Sequence, residues 1–381
     1  MRSNLEKVGL SGIRNFADQF RGEDKLSLTI GEPDFDTPKQ IKEAAVQALH
    51  DNKTHYPHAM GIDALREAIA KHESELENRL YNKDQVLITT GATESLALAL
   101  WSLLDAEDEI LIPTPSFPLY QSQVDLIGAK GILFDTSDFS FQLDASMFDL
   151  VDNHKLKVIL LTSPNNPTGT IYNQDSLALV ADYMRENQEV YVVMDEVYRS
   201  MLFHGNYPSI RQFNDLDERI VIVQSFSKSH AMTGWRLGYV LANAALIQDM
   251  HKLHQNMVTG VSTIAQWAAV EAFSCDMSKM ISTFAERAAY ICERLDAMGI
   301  PYIKPEGGLY VFPKIKEFGM DSITFASQLA FHHDLILVPG YYFGADDFVR
   351  ISFGSDFASL SLGMDRLEAF VKECRDREAA N

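Results

Sequence analysis

The sequence predicts an α/β fold, with a large domain whose mostly parallel sheet is covered by helices and a small α+β domain built from both chain ends. Short apolar runs between residues 86 and 241 alternate with segments of helical periodicity, as in strands buried on both faces. From about residue 244 the pattern is helical, and a mixed pattern follows it. The 381 residues exceed one ordinary domain.

The elements follow from periodicity and turn residues, taken in chain order. Helices are predicted over 41–50, 62–76, 95–104, 264–273, 284–298 and 362–374. Strands are predicted at 86–89, 109–112, 157–161, 190–194, 220–223, 237–241, 308–312 and 349–353. We expect three parts: an N-terminal segment over 1–45 that joins the small domain, a large central domain over 46–280, and a small C-terminal domain over 281–381.

Composition argues for small-molecule chemistry. The 33 basic and 53 acidic residues give a net charge of −20, which opposes contact with nucleic acid. No apolar run approaches the roughly 20 residues of a membrane span, and the N-terminal sequence lacks the apolar region of a signal peptide. None of the 11 histidines falls in a metal-ligand spacing. We therefore predict a cytoplasmic protein without a metal.

A lysine at the end of a strand is the first candidate for chemistry. Lys228 closes the string Ser-Phe-Ser-Lys at 225–228, where α/β proteins place ligands. Loss of water and a nearby cation lower a lysine pKa, and the neutral amine can then form a Schiff base. Ser225, Ser227 and Arg236 offer groups suited to a phosphate. A lone lysine is more commonly a surface residue, so the case depends on its neighbours.

Two earlier strand ends carry further polar side chains. Asp195 follows one strand, and an acid there can pair with the protonated ring nitrogen of a pyridine cofactor. Asn166 lies in a turn in which Pro167 and Gly169 restrict the backbone. Each feature alone has an ordinary explanation, a surface acid or a common turn. Asn, Asp and Lys at three successive strand ends form a stronger signal.

A candidate phosphate cradle lies at residues 89–95 (Thr-Thr-Gly-Ala-Thr-Glu-Ser). Here a strand passes through Gly91 into a predicted helix, with Ala92 and Thr93 at the junction. Free N–H groups and the dipole at a helix N-terminus attract anions. Thr93 as a plain helix N-cap explains the string equally well.

With these strings in view, the sequence resembles the fold type I aminotransferases of class I/II that depend on pyridoxal 5'-phosphate (PLP). The resemblance extends from residue 30 to residue 353 and includes aspartate and aromatic aminotransferases. It implies PLP as the cofactor and transfer of an amino group between an L-amino acid and a 2-oxo acid such as 2-oxoglutarate. The strings that carry it are Asn-Asn-Pro-Thr-Gly at 165–169, Asp-Glu-x-Tyr at 195–198, Ser-x-Ser-Lys at 225–228 and Gly-Trp-Arg at 234–236.

The resemblance also implies roles for the residues at the cofactor. Lys228 would hold PLP as a Schiff base and move the proton between the substrate α-carbon and the cofactor. Asp195 would keep the pyridine nitrogen protonated, while Asn166 and Tyr198 would donate hydrogen bonds to the phenolate oxygen. The phosphate would be bound by Ser225, Ser227, Arg236 and the backbone at Gly91, Ala92 and Thr93.

Further implied roles concern the substrate and a second subunit. Phe117 would stack on the pyridine ring, where the aspartate enzymes have tryptophan. Arg350 would bind the substrate α-carboxylate through a bidentate pair, with Asn166 and the backbone of Gly31 beside it. Tyr56 resembles the tyrosine that reaches the phosphate of the neighbouring subunit, which implies a homodimer with shared active sites.

The amino donor is left open. Residues 227–236, 254–255 and 312–315 resemble a subgroup of aromatic amino acid and N-acetyl-diaminopimelate aminotransferases. Gly-Gly-Leu-Tyr at 307–310 and the two tyrosines before Phe343 depart from that subgroup. Both segments lie near the substrate in the family, so the departures bear on which amino acid is used.

Two other functions stay open at this point. A PLP-dependent carbon–sulfur β-lyase shares the fold, the lysine and the phosphate site, but it releases pyruvate and ammonia instead of leaving the amino group on the cofactor. A PLP-binding regulator fused to a DNA-binding module is disfavoured by the short segment before Gly31 and by the net charge of −20.

Overall fold

The structure is a computed structural model that describes residues 2–22 and 24–379. Within this part of the chain there are thirteen α-helices and twelve strands, joined by turns and short 3-10 helices. The strands are β1 (Leu26–Ser27), β2 (Val86–Thr89), β3 (Glu109–Thr114), β4 (Lys130–Asp135), β5 (Leu156–Thr162), β6 (Tyr191–Asp195), β7 (Ile220–Ser225), β8 (Gly238–Leu241), β9 (Tyr310–Val311), β10 (Leu335–Ile336), β11 (Val338–Pro339) and β12 (Val349–Ser352). The helices are α1 (Arg2–Leu5), α2 (Gly12–Gln19), α3 (Lys39–His50), α4 (Asp63–Glu77), α5 (Ala92–Leu103), α6 (Leu119–Ile127), α7 (Gln174–Glu186), α8 (Phe226–Ser229), α9 (Ala244–Met257), α10 (Thr263–Val270), α11 (Ser278–Met298), α12 (Ser322–His332) and α13 (Phe357–Ala379).

A seven-stranded sheet in the order β2-β8-β7-β6-β5-β3-β4 forms the centre of the molecule. Strands β4, β3, β5, β6 and β7 are parallel, while β8 is antiparallel to both β7 and β2. Apolar clusters cover both faces of this sheet, as a parallel sheet requires because its connections run over the faces. The predicted α/β fold with a mostly parallel sheet is confirmed.

The register of the parallel strands brings the candidate residues together. Thr162 at the end of β5 lies opposite Asp195 at the end of β6, and Asp195 lies opposite Val223 in β7. The segments that follow these strands therefore leave the sheet along one edge. This edge is where ligands bind in open α/β sheets.

Two local predictions need correction. The strand β4 has no counterpart among the predicted strands, because it lies at the sheet edge beside β3 alone and only Phe134 of its residues is buried. Helix α5 begins at Ala92 rather than at residue 95, with Gly91 at its N-cap position. Thr93 therefore lies inside the first turn and is not the N-cap.

Both chain ends contribute to a second apolar core. Strand β1 pairs with β10 in parallel, Leu26 opposite Leu335, and β11, β12 and β9 form a three-stranded antiparallel sheet. Leu28 is buried with Phe325 and Phe353 in the cluster around α11 and α13. The boundaries after residues 45 and 280 stay predictions, and α11 runs across the second of them.

The described residues contain neither a membrane-spanning helix nor a cluster of metal ligands. None of the helices there combines the length and the hydropathy needed to cross a bilayer. The same residues contain no group of three or more His, Cys, Asp or Glu side chains placed to hold a metal ion.

Candidate active site

The carboxyl ends of β5, β6 and β7 open on a cavity of about 950 Å³. Its walls include most of the residues singled out from the sequence. Gly91 and Tyr56 are the exceptions, since neither lines the cavity. The singled-out residues on its walls are Gly31, Ala92, Thr93, Phe117, Asn166, Asp195, Tyr198, Ser225, Ser227, Lys228, Arg236 and Arg350.

Lys228 lies in the short helix α8, directly after β7. Ser225 caps this helix, and its Oγ accepts a hydrogen bond of 3.0 Å from the backbone N–H of Ser227. The half-buried Lys228 donates from Nζ to the carbonyl oxygen of Gly31 at 2.6 Å. No carboxylate of the described chain forms an ion pair with Lys228. Its amine is therefore held in the cavity by a hydrogen bond to a neutral carbonyl oxygen, which is easier to break than an ion pair.

Asp195 ends β6 with its carboxylate in the cavity wall. Its Oδ2 accepts from the hydroxyl of Tyr120 at 2.9 Å, and its Oδ1 accepts from the N–H of Val197 at 3.2 Å. Burial raises the pKa of Asp195 to about 6, although these two hydrogen bonds act in the opposite direction. An ionised carboxylate at this depth is stabilised by a cationic partner, such as a protonated ring nitrogen.

Arg350 is the buried cation of the cavity, with 3% of its surface exposed. It donates from Nη1 to Asn166 Oδ1 at 2.9 Å and from Nη2 to the carbonyl oxygen of Thr29 at 2.6 Å. Its Nε has no hydrogen-bond partner within the described residues, and no carboxylate there pairs with it. Burial lowers the pKa of Arg350. A desolvated guanidinium with neutral neighbours is suited to an incoming carboxylate.

Aromatic rings pack against the Arg350 guanidinium. One of them, Tyr310, leaves room only for glycine at position 31. The Arg350 guanidinium carbon lies 4.2 Å from the ring centre of Tyr310 and 4.9 Å from that of Phe343. A Cβ atom on Gly31 would overlap the Tyr310 hydroxyl, so only glycine brings its carbonyl this close. The hydroxyls of Tyr310 and Tyr198 are 3.0 Å apart, and burial raises the pKa of Tyr198 well above its ordinary range.

The N-terminus of α5 has the features of an anion cradle. Gly91 has φ of 91°, a conformation that glycine adopts readily, and the N–H groups of Ala92 and Thr93 belong to the first turn, which lacks intrahelical acceptors. Arg236 lies beside this turn, donating to the carbonyl oxygens of Thr233 at 3.0 Å and Thr90 at 3.3 Å. Positive charge and free donors therefore converge at one end of the cavity.

Two aromatic residues occupy different surroundings. Phe117 is half-buried and forms an edge-to-face pair with Tyr120, with ring centres 6.0 Å apart. Its ring lines the cavity, as stacking on a planar ligand requires. Tyr56 is 91% exposed in the single chain, and its contact with a neighbouring subunit stays a prediction.

The comparisons with known proteins agree with this geometry. The family model "Aminotransferase class I and II" matches residues 23–367. The chain belongs to this family. It is 34% identical to a probable N-acetyl-LL-diaminopimelate aminotransferase of Bacillus subtilis, over 99% of this chain and 97% of that protein.

Two solved structures show the same fold in related enzymes. The aspartate aminotransferase of Thermotoga maritima has a TM-score of 0.92 and 34% identity, over 97% of this chain and 99% of that one. The aromatic aminotransferase of Pyrococcus horikoshii has a TM-score of 0.89 and 33% identity, over 96% of this chain and 100% of that one. The chain is thus a transaminase, and the carbon–sulfur lyase alternative gains no support from these relatives.

Aminotransferases of this family and fold use PLP, and PLP is the cofactor of this enzyme. The described residues fit such a group. The α5 cradle with Arg236 is suited to its phosphate, the buried Asp195 carboxylate to its pyridinium nitrogen, and the Lys228 amine to its aldehyde. A Cβ atom at Gly91 would lie 2.8 Å from Arg236 Nη2, so glycine also keeps this guanidinium beside the cradle.

Sequence reasoning missed two tyrosines of the site. Tyr120 supports Asp195, and a signal for it existed, since it lies in the first turn of α6, three residues after Phe117 in the sequence. Tyr310 entered the sequence-based interpretation only through substrate preference. The structure shows it against Gly31, Tyr198 and Arg350 at once.

Proposed function

We propose that this aminotransferase transfers an amino group between an L-amino acid and a 2-oxo acid such as 2-oxoglutarate, and that the amino acid is aromatic, N-acetyl-diaminopimelate or similar. One observation carries the proposal: the buried Arg350, which has no carboxylate partner in the described chain, lines the same cavity as the Lys228 amine. An amino acid and its 2-oxo acid both carry an α-carboxylate, which a buried cation can bind. Their interconversion also needs a group that moves the α-proton, and an amine in the same cavity can do this.

The side chains have separable tasks in this proposal. When bound, PLP supplies the electron sink that lets the bond to the α-hydrogen break. Arg350 orients the substrate by its carboxylate, and the Lys228 amine accepts the α-proton and returns it to the cofactor side. Asp195 would keep the pyridine nitrogen of PLP protonated. The neutral Tyr198 hydroxyl would donate a hydrogen bond to the phenolate oxygen of PLP.

The first test is the visible absorbance of the PLP-loaded protein before and after separate additions of glutamate, phenylalanine, tyrosine, aspartate and N-acetyl-diaminopimelate. We expect one or two donors to convert the cofactor to its amino form, and 2-oxoglutarate to reverse the change. Lys228→Ala is the control that removes the transferring amine. Conversion by none of these donors, or release of pyruvate from cystathionine, would contradict amino transfer and favour the lyase.

The same proposal includes a homodimer in which each active site contains residues of both subunits. It also includes a cytoplasmic location. The exposure of Tyr56 in the single chain supports the shared site, because a tyrosine that completes a neighbour's phosphate site must face outward. The cytoplasmic location stays a prediction. Fractionation of cells that express the untagged protein tests it.

A further inference from the structure

A buried ionic cluster lies beneath the turn that carries Asp195 and Tyr198. We call it the Glu196 cluster; it consists of Glu73 and Glu77 from α4, Glu196, Arg199 and Arg211. The side chains of Glu73 and Glu196 are completely buried, that of Arg211 is 2% exposed, and those of Glu77 and Arg199 are 7% and 10% exposed.

The contacts of this cluster centre on Glu196. Its Oε2 accepts from Arg211 at 2.9 Å and from Arg199 at 3.1 Å. The Tyr207 hydroxyl lies 3.2 Å from Glu196 Oε1 and 3.1 Å from the carbonyl oxygen of Ser163, and it can donate to either. The Glu196 side chain is therefore held from three directions.

The peptide unit between Asp195 and Glu196 joins neighbouring strand ends. The Glu196 N–H donates to the carbonyl oxygen of Val223 in β7 at 2.9 Å, and the Ser163 N–H donates to the carbonyl oxygen of Asp195 at 3.2 Å. Ser163 begins the turn that leads to Asn166. The Glu196 cluster thus contacts the segments that present the Asn, Asp and Lys side chains to the cavity.

Stability alone is a poor explanation for this cluster. Three carboxylates face two guanidiniums, and replacing buried ion pairs with apolar residues is often neutral or stabilising. The other titratable groups around it are Tyr239, whose hydroxyl donates to Glu73 at 2.6 Å, Tyr207, and Tyr81 beside Arg211. Burial raises the pKa of Glu196, which follows Asp195 in the sequence, although its pairing with Arg211 acts in the opposite direction.

We propose that Glu196 is a positioning residue for amino transfer, because its buried carboxylate holds the turn that presents Asp195 and Tyr198 to the cavity. This inference rests on the proposed function. Glu196 itself does not line the cavity, so it acts through its neighbours. When it is ionised, Glu196 also raises the pKa of the neighbouring Asp195 and so favours protonated groups at that end of the site.

The test compares three variants of the full-length, PLP-loaded protein. Glu196→Gln keeps the shape and removes the charge. Tyr207→Phe keeps the charges and removes the hydroxyl between Glu196 and Ser163. Glu109→Gln is the matched control, because Glu109 is also buried, pairs with Lys130 at 2.9 Å and begins β3 at its amino end, whereas the cavity lies at the carboxyl ends of the strands.

We expect Glu196→Gln to lower kcat about tenfold or more, with KM for the best donor changed less than about threefold, since small displacements of positioned groups slow chemistry steeply. The pH midpoint of the bound cofactor's absorbance should fall, because a nearby negative charge is lost. Tyr207→Phe should lower kcat less and leave that midpoint in place. Glu109→Gln should change only the melting temperature.

An unchanged kcat and midpoint in Glu196→Gln, with a loss of melting temperature like that of Glu109→Gln, would overturn the proposal. If Glu196→Gln does not fold, an unchanged kcat in Tyr207→Phe does the same. If the wild-type protein converts no donor, the proposed function fails, and the absorbance midpoint of the bound cofactor still decides the role of Glu196.

Discussion

At the scale of single residues, Arg350 is buried without a carboxylate partner in the described chain, and this predicts the effect of replacing it. Lysine keeps a positive charge but loses the planar pair of donors and the stacking between Tyr310 and Phe343. We expect Arg350→Lys to lower kcat/KM for amino donors by about 100-fold, the value of one or two charge-assisted hydrogen bonds. Affinity for PLP should stay near that of the wild type.

The matched control for this change is Arg294→Lys. Arg294 pairs with Asp365 and Glu368 near the surface, remote from the cavity lining. Steady-state kinetics and a cofactor titration of both variants provide the comparison. Equal kcat/KM in Arg350→Lys and wild type would show that another group binds the α-carboxylate.

Asp195 predicts a pH-dependent stability of the cofactor-free protein. Its pKa is raised to about 6 in the fold, so its contribution to stability is fully present below its unfolded pKa and is lost as pH rises through 6. Asp195→Asn removes the buried charge while its amide can still bond to Tyr120 and Val197. The cofactor-free variant should therefore unfold at a temperature a few degrees higher than wild type at pH 8.

This difference should shrink toward pH 5, where Asp195 of the wild type is mostly protonated. Thermal unfolding of both cofactor-free proteins between pH 5 and pH 8 measures it. The PLP-loaded variant should lose most of its activity, because a neutral amide does not keep the pyridine nitrogen protonated. A stability difference that is constant with pH would contradict the buried-charge explanation.

At the scale of elements, the start of α5 links backbone conformation to cofactor binding. Gly91 has φ of 91°, and a Cβ there would displace Arg236. Gly91→Ala should weaken PLP binding about 10- to 100-fold, since displacing Arg236 removes hydrogen bonds to a charged group that contribute about 1.5–3 kcal/mol. The dissociation constant from an absorbance titration measures this effect.

Gly205→Ala is the control that separates the effect of backbone strain from the loss of the phosphate cradle at α5. Gly205 has φ of 73°, with no atom within 4 Å of a Cβ built on it, and it does not line the cavity. It should lose thermal stability as Gly91→Ala does, yet bind PLP with wild-type affinity. Equal loss of PLP affinity in both variants would mean that the cradle has no specific role.

At the scale of the whole molecule, Tyr56 tests whether two chains complete each site. In an isolated chain this exposed side chain is outside the cavity lining, so Tyr56→Phe would leave PLP affinity unchanged. In a dimer with shared sites we expect affinity to fall about tenfold, the effect of one hydrogen bond to a charged group. Sedimentation of the wild type should show two chains per particle. A monomer with unaltered affinity in Tyr56→Phe contradicts the shared site.

Local patterns in the sequence were sufficient for the sheet and for part of the site. Apolar runs predicted the buried strands, because a strand covered on both faces must be apolar throughout. Lys228, Asp195 and Asn166 could be grouped from the amino-acid sequence alone, since parallel strands that follow one another end at one edge. The edge strand β4 escaped prediction, because an exposed edge needs no continuous apolar run.

Contacts between distant parts of the chain could not be predicted in this way. Arg350 meets Asn166 across 184 positions, and Glu73 meets Arg211 across 138. Neither pair has a local signal, because charge and size at one position say nothing about a partner that folding brings from afar. The motifs therefore indicated the chemistry, whereas the support of Asp195 by Tyr120 and the Glu196 cluster depends on how the helices pack against the sheet.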